Sequence, residues 1–257
     1  MDKDLSINQP TVTVIPCFNE EARLDIHQIE LMLEEPKMSL LLVDDGSTDN
    51  TKATIVNLSQ QFPGRVELLS MTTNVGKAEA VRAGMQQAIE SGARCIGFAD
   101  ADFATPAGEL LRLSSNLLNR DDIKAVFGSR ILRLGAEIYR SMSRHYLGRV
   151  FATIASSILM MGVYDTQCGA KYFRVSDALR ESLKDPFFSR WAFDVELIGR
   201  LKYGVHNQAG YADSEFLEIP LEYWDDKSGS KISLPDKFRV LAELARIALY
   251  IRHLRLH

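Results

Sequence analysis

The sequence predicts an α/β fold: a mostly parallel, Rossmann-like sheet flanked by helices. Three observations carry that prediction. Through the first half of the chain, short β-branched runs alternate with amphipathic stretches, the pattern of parallel strands joined by crossover helices. Polar and charged clusters recur at the ends of those runs, where sheets of this kind bind their ligands. Finally, 257 residues that are 46% hydrophobic and 25% charged match one large domain with a full core.

In order, strands are expected at residues 11–16, 40–44, 66–70, 95–100 and 124–127, all short and mostly apolar. Helices are expected between them, at about 20–35, 49–62, 76–91 and 106–119. The cluster Ser47, Thr48 and Asp49 is able to cap the second helix, and Gly76-Lys77 opens the third. Beyond Arg130 the pattern is less regular, with an apolar segment at 146–164, a Trp-containing helix near 190–203 and an extended run at 214–223. A last helix from about Pro235 carries Arg239, Arg246, Arg252, His253, Arg255 and His257 beside an apolar face. Two readings of it stand side by side: a basic amphipathic helix lying on anionic lipid, and a core-packing helix with a solvated basic tail.

A formal charge of −4 gives no basic field over the protein, which argues against a nucleic-acid partner. Any anionic substrate must then be held locally. Cys17, Cys95 and Cys168 are odd in number and far apart, as packed thiols of a reducing compartment would be. The polar start MDKDLSINQP lacks the pattern of a secretory signal, so a cytoplasmic location is expected, and the lipid-lying reading of the last helix adds peripheral contact on the inner face of a membrane. No stretch reaches the roughly 18 apolar residues of a spanning helix. Residues 150–163 come nearest, but the run is short and contains Thr153, Ser156 and Ser157. His145, His206, His253 and His257 lack the spacing of a zinc site.

The residues that carry chemistry begin with Asp100-Ala101-Asp102, which follows an apolar run. If the chain stays extended there, residues i and i+2 face the same way and two carboxylates meet one divalent cation, Mg2+ or Mn2+. Such a metal would neutralise a diphosphate leaving group. Asp44 and Asp45 end another run and, with capping left to Ser47–Asp49, are expected to be free for a base and ribose. Lys77 would open a helix whose amides face an anion; the plainer reading is a solvated lysine.

Together, Ile15-Pro16-Cys17-Phe18-Asn19-Glu20-Glu21, the 43–51 run, Asn74-Val75-Gly76-Lys77 and Asp100-Ala101-Asp102 resemble the motif series of family 2 glycosyltransferases. Asp165-Thr166-Gln167-Cys168-Gly169-Ala170-Lys171, Arg190-Trp191-Ala192-Phe193-Asp194-Val195-Glu196-Leu197 and Gly229-Ser230-Lys231 look like the dolichyl-phosphate β-glucosyltransferase branch, sister to the dolichyl-phosphate mannose synthases. The resemblance implies the GT-A fold, a nucleoside-diphosphate sugar donor with UDP-glucose favoured, inversion at the anomeric carbon, and polyprenyl phosphate as acceptor. It implies nucleotide contact at Pro16, Phe18, Glu20, Asp44 and Asp45, beside the anion-facing helix start at Lys77, metal and diphosphate contact at Asp100 and Asp102, and phosphate contact at Arg130, Arg144 and Lys231. The whole chain then reads as one domain: a nucleotide-sugar half at about 10–130, an acceptor half at about 131–234 and the basic helix at about 235–257. Departures from the pattern are Ala104, where mannose synthases often carry Gln, Gly148, where a small polar residue follows the second phosphate-binding Arg by one turn, and the lack of an N-terminal membrane anchor.

An anionic phosphate attacking the anomeric carbon needs alignment and charge screening rather than a strong base, a task suited to Arg130, Arg144 and Lys231. A hydroxyl acceptor would need a base, and Asp194, among apolar neighbours, is the candidate. The plainer reading of that helix pairs Asp194 and Glu196 with Arg or Lys. Tyr223-Trp224 either shapes the sugar pocket or anchors the loop at 225–230. Transfer to a soluble glycan or protein hydroxyl, and a non-catalytic nucleotide-sugar-binding module, are the alternatives.

Overall fold

The computed structural model describes residues 11–139, 142–225, 227 and 234–256. The first half alternates as expected: β1 (Thr11–Cys17), α1 (Ile26–Leu33), β2 (Met38–Asp44), α2 (Thr51–Gln61), β3 (Val66–Ser70), α3 (Lys77–Glu90), β4 (Cys95–Phe98), α4 (Ala107–Leu118) and β5 (Ala125–Ser129). Then follow β6 (Glu137–Tyr139), α5 (Met142–Leu159), β7 (Lys171–Arg174), α6 (Asp177–Ser182), α7 (Phe193–Tyr203), β8 (Phe216–Pro220), β9 (Tyr223–Asp225) and α8 (Leu234–Leu254).

Seven strands form one sheet in the order β3-β2-β1-β4-β7-β5-β8. All its pairings are parallel except those of β7, which runs antiparallel to both β4 and β5. β6 and β9 form a separate parallel ribbon. Successive residues point to opposite faces, so Ile15, Leu40 and Leu42 pack with α1, α2 and α4. Val14, Leu41 and Val43 pack with α3, α7 and α8. With both faces covered, the strands read as continuous apolar runs.

Several boundaries shift by a few residues, with α7 beginning after Trp191, and two that border the site differ for a local reason. Residues 20–24 do not join the first helix: the Glu20 carbonyl accepts the Arg23 and Leu24 amides at 2.9 and 2.8 Å, and Asp25 then caps α1 by accepting the Gln28 amide. β4 ends at Phe98 rather than residue 100, because the Phe103 amide returns to the Asp100 carbonyl at 3.1 Å and closes a turn.

The last helix uses its apolar side in the core. Leu244, Ile247 and Ile251 are buried in the cluster that also holds residues of α5 and α7. The core-packing reading of α8 holds for these three residues, while Leu249 on the same helix and Leu256 just after it stay exposed. Among the described residues no helix is long and apolar enough to cross a membrane. Apolar side chains that do face solvent include Tyr146, Val150 and Ile154, spaced four apart on α5, and Leu132 and Leu134 in the loop before β6.

Candidate active site

The order in which strands are added to the sheet reverses between β1 and β4: β2 and β3 are laid down on one side of β1 and β4 on the other. A crevice forms beyond the carboxyl ends of strands at such a point. The segment after β1, the end of β2, the loop before α3 and the turn after β4 all meet there.

Pro16 is paired with Val43 in the sheet, and partly buried Phe18 follows it. Hydrogen bonds fasten this segment to the β2 end. The Asn19 amide donates to the Ser47 hydroxyl (3.1 Å), the Thr48 amide to Asn19 Oδ1 (2.8 Å) and the Glu20 amide to Thr51 Oγ1 (2.8 Å). Asn19 has φ 52°, a left-handed conformation Asn tolerates. Ser47 and Thr48 thus bridge loops, while Asp49 accepts the Thr51 amide at 3.0 Å at the start of α2.

Asp44 and Asp45 were expected to be free for the nucleotide; the structure corrects this. Both are only 2% exposed. Asp44 accepts the Ser47 amide at 3.0 Å. Asp45 accepts the Val75 amide (2.8 Å), the Gly76 amide (2.9 Å) and Asn74 Nδ2 (3.0 Å). A carboxylate holding that many donors fixes the loop ahead of α3. Burial holds the Asp45 carboxyl above its ordinary range, although the Val75 and Gly76 amides pull it down.

Asp100 and Asp102 also depart from expectation in how they come together. The backbone does not stay extended; a turn gathers them, with buried Phe103 at φ 48°, a strained conformation for a bulky residue. Each carboxylate has a cation beside it. Lys77, at the start of α3, donates to Asp100, and Arg23 reaches Asp102 at 3.0 Å and Glu20 at 2.8 Å. Burial, then the charge of Asp100, raises the Asp102 pKa. Burial is also the largest influence on Lys77 and lowers its pKa, but the charges of Asp100 and Asp194 outweigh it and the net shift is upward. Lys77 is therefore a committed cation of the site rather than a solvated surface lysine.

On the far side of Asp100, Arg130 makes a two-armed contact with Asp165, Nε at 2.7 Å and Nη2 at 2.9 Å. Its guanidinium lies 5.2 Å from the Trp224 ring. Burial opposes charge on both members of this pair, yet each one's charge outweighs it for the other: Arg130 is raised and Asp165 held well below the usual carboxylate range. Asp194 begins α7 and is 5% exposed. Its carboxylate is bound by Lys171 at 2.6 Å, and burial raises its pKa against the pull of Lys171 and Lys77. Glu196 pairs likewise with Arg200 at 2.6 Å. The backbone of Arg144 lies in α5, but its side chain, and all of Lys231, fall outside the described residues.

A model of the family described as Glycosyl transferase family 2 matches residues 12–198. The chain belongs to that family. A dolichyl-phosphate β-glucosyltransferase of Trichomonas vaginalis is 31% identical, over 94% of this chain and 72% of its own. One of Dictyostelium discoideum is 28% identical, over 93% and 72%. Among solved structures, glucosyl-3-phosphoglycerate synthase from Mycobacterium tuberculosis, in complex with Mn2+, UDP and glucosyl-3-phosphoglycerate, has a TM-score of 0.62 at 18% identity, covering 96% of this chain and 79% of that one. This family 2 glycosyltransferase accordingly has the GT-A fold.

A divalent ion fits the residues this transferase offers. Among the described residues no three His, Cys, Asp or Glu side chains gather as metal ligands, so a cage built of protein alone is absent there. Asp100 and Asp102 supply two oxygen-donor side chains at the crevice, which suits an ion that completes its shell with substrate phosphates. Four participants escaped the sequence reading. Arg23 joins Glu20 to Asp102, and Asp165 and Lys171 neutralise Arg130 and Asp194. Arg190 Nη2 donates to Asn74 at 2.6 Å beside the α3 start. Asp165, Lys171 and Arg190 stood inside the quoted motifs, so their presence was visible but not their partners.

Proposed function

We propose that this family 2 glycosyltransferase moves glucose from UDP-glucose to a polyprenyl phosphate, with inversion at the anomeric carbon and at the surface of a membrane. Its similarity to dolichyl-phosphate β-glucosyltransferases over nearly its whole length supports the acceptor and the sugar. The observation that carries the choice of acceptor is the state of Asp194. A hydroxyl nucleophile needs a base that can reach it, and Asp194 is instead buried against Lys171. A phosphate monoester is already anionic and needs only cations to hold and align it.

Pro16, Phe18 and Glu20 would border the nucleotide, while Asp44 holds the Ser47 turn and Asp45 shapes the Asn74-to-Lys77 loop. Asp100 and Asp102 would hold Mg2+ or Mn2+, which when bound supplies positive charge to the leaving diphosphate; a fold neighbour carries Mn2+ with UDP. Lys77 and Arg23 hold the two carboxylates in place. Arg130, with Arg144 and Lys231, would orient the acceptor phosphate. For contact with a cytosolic membrane face, support comes from the exposed apolar residues of α5 and the loop before β6.

The deciding experiment is a transfer assay with UDP-glucose, GDP-mannose and UDP-N-acetylglucosamine, each with and without short-chain polyprenyl phosphate and Mn2+. Metal-dependent product from UDP-glucose only when lipid phosphate is present is the expected result, with Asp102→Ala folded but without turnover. Transfer to a soluble glycan hydroxyl instead, or full activity of Asp102→Ala, would overturn the reading.

A further inference from the structure

Between α5 and the segment that precedes β7 lies a small recess whose walls include Arg130, Arg149, Tyr164, Asp165, Thr166 and Gln167. Its enclosed volume is about 20 Å3, enough for one oxygen-sized group. Three features make it more than a packing gap.

The first is Arg149. Its guanidinium carbon sits 3.6 Å from the centre of the Tyr164 ring, so the planar group is stacked, and Nη1 makes one long bond (3.4 Å) to the Tyr164 carbonyl. Among the described residues no carboxylate pairs with it. Arg130 and Asp165 neutralise one another across the same recess, so Arg149 is the recess cation without a direct carboxylate partner among the described residues.

The second is Thr166. It is fully buried, it lines the recess, and its Oγ1 has no hydrogen-bond partner. A buried hydroxyl without a partner costs free energy, and on a residue that lines a recess it leaves a donor unspent for a ligand. The third is rigidity. Glu218 on β8 accepts the Tyr164 amide at 2.8 Å and the Asp165 amide at 2.7 Å, and Asp165 Oδ1 accepts the Gln167 amide at 3.1 Å. The wall is held in shape before any ligand arrives.

We propose that this recess seats one oxygen of the acceptor's phosphate, with Arg149 as its cation and Thr166 Oγ1 as its donor. The inference rests on the phosphate-acceptor reading above and adds two specificity residues to it. A tetrahedral phosphate meets three kinds of group here: the stacked guanidinium, the lone hydroxyl and the edge of the Arg130–Asp165 pair. A neutral sugar hydroxyl would leave Arg149 without a counter-charge. Residues 148, 149, 151 and 152 of α5 line the recess, and the same helix carries the exposed apolar residues Tyr146, Val150 and Ile154, so a lipid tail could leave along that helix while a soluble phosphate would not need it.

The test compares the full chain with Arg149→Gln, Arg149→Lys and Thr166→Val, using short-chain polyprenyl phosphate and glycerol 3-phosphate as separate acceptors. Each variant is assayed for the KM of acceptor and of UDP-glucose, for thermal stability, and for quenching of tryptophan emission by each phosphate, since Trp224 lies against Arg130. Arg149→Gln is expected to raise the acceptor KM about tenfold or more, the loss of one charged hydrogen bond, with the UDP-glucose KM unchanged and Arg149→Lys in between. Thr166→Val should raise the acceptor KM and be no less stable, because its hydroxyl has no partner to lose. Effects confined to the lipid acceptor assign the phosphate to a lipid headgroup, and equal effects on both assign it to any phosphomonoester.

Unchanged acceptor KM in Arg149→Gln overturns the inference while leaving the function intact. A parallel rise in both KM values with lower stability makes Arg149 a structural residue and also overturns it. If the wild type transfers to neither acceptor, quenching decides: quenching that Arg149→Gln abolishes keeps the phosphate seat and removes the proposed reaction, and absence of quenching in the wild type removes the seat as well.

Discussion

Glycine 169 shows how a single position conditions the chemistry. A Cβ there would fall 2.1 Å from Asp100 Oδ2 and 2.6 Å from its Cγ, so only glycine lets that carboxylate lie against Lys77. Gly169→Ala is expected to displace Asp100, and because misplacement by about 1 Å costs on the order of 100-fold in rate, transfer should fall by at least ten times while circular dichroism stays native. A variant with normal turnover would mean Asp100 can act from another position. Asp165 gives the matching pH prediction. Its folded pKa is depressed by Arg130, so the unfolded chain takes up a proton first as pH falls below about 4. The stability this pair contributes is therefore complete above that range and lost progressively below it. Melting temperature should fall more steeply between pH 5 and 3, roughly the range of carboxylate titration, in the wild type than in Asp165→Asn. At pH 7 that variant should be about 3–5 kcal/mol less stable, with Arg130 left buried and uncompensated. Parallel melting curves would remove the pair from the stability argument.

Among the secondary-structure elements, β7 and α7 are joined by one buried strut. Lys171 is fully buried, its Nζ reaching Asp194 at 2.6 Å and the Cys168 carbonyl at 2.5 Å between the rings of Phe98 and Phe127. The strut ties the motif holding Gly169 to the start of α7. Breaking one half strands a charge, so Lys171→Met should lower unfolding free energy by about 3–5 kcal/mol. Lys171→Met with Asp194→Leu should recover much of that loss in a urea titration, without recovering transfer. Recovery of both would show that the pair serves stability alone. This antiparallel strand was invisible to the pattern that located the others. Four residues, Lys-Tyr-Phe-Arg, carry too little periodicity to be read by themselves, and they become a strand only because β4 and β5 leave a gap between them.

For the molecule as a whole, α8 decides which surface remains available. Its buried side completes the cluster around α5 and α7, and Glu243 accepts a hydrogen bond from Ser189, whose Oγ also receives the Trp191 and Ala192 amides. The helix thus buttresses the segment that carries Arg190. Ile247→Ala should cost about 2–4 kcal/mol, as buried aliphatic truncations do, and leave sedimentation with anionic vesicles unchanged. Leu134→Asp with Val150→Asp should do the reverse, lowering vesicle binding without loss of stability, because both side chains are exposed. Vesicle binding that follows Ile247 rather than the α5 face would return the membrane role to the last helix.

By itself the sequence determined the alternation of strands and helices, the mostly parallel sheet, the strand-end location of the polar clusters, and the family. Those are local properties: side-chain periodicity of two or 3.6, turn residues at the boundaries, and motifs read within a few positions. Only the tertiary structure decided what each charge faces. Arg23 and Asp102 are 79 residues apart in the chain, Arg130 and Asp165 are 35 apart, and Lys171 and Asp194 are 23 apart. A carboxylate's role, as ligand, clamp or counter-ion, depends on its burial and its nearest cation. Both are set by how the sheet brings distant loops to one edge, and for that reason Asp45 and Asp194 read differently folded than as sequence.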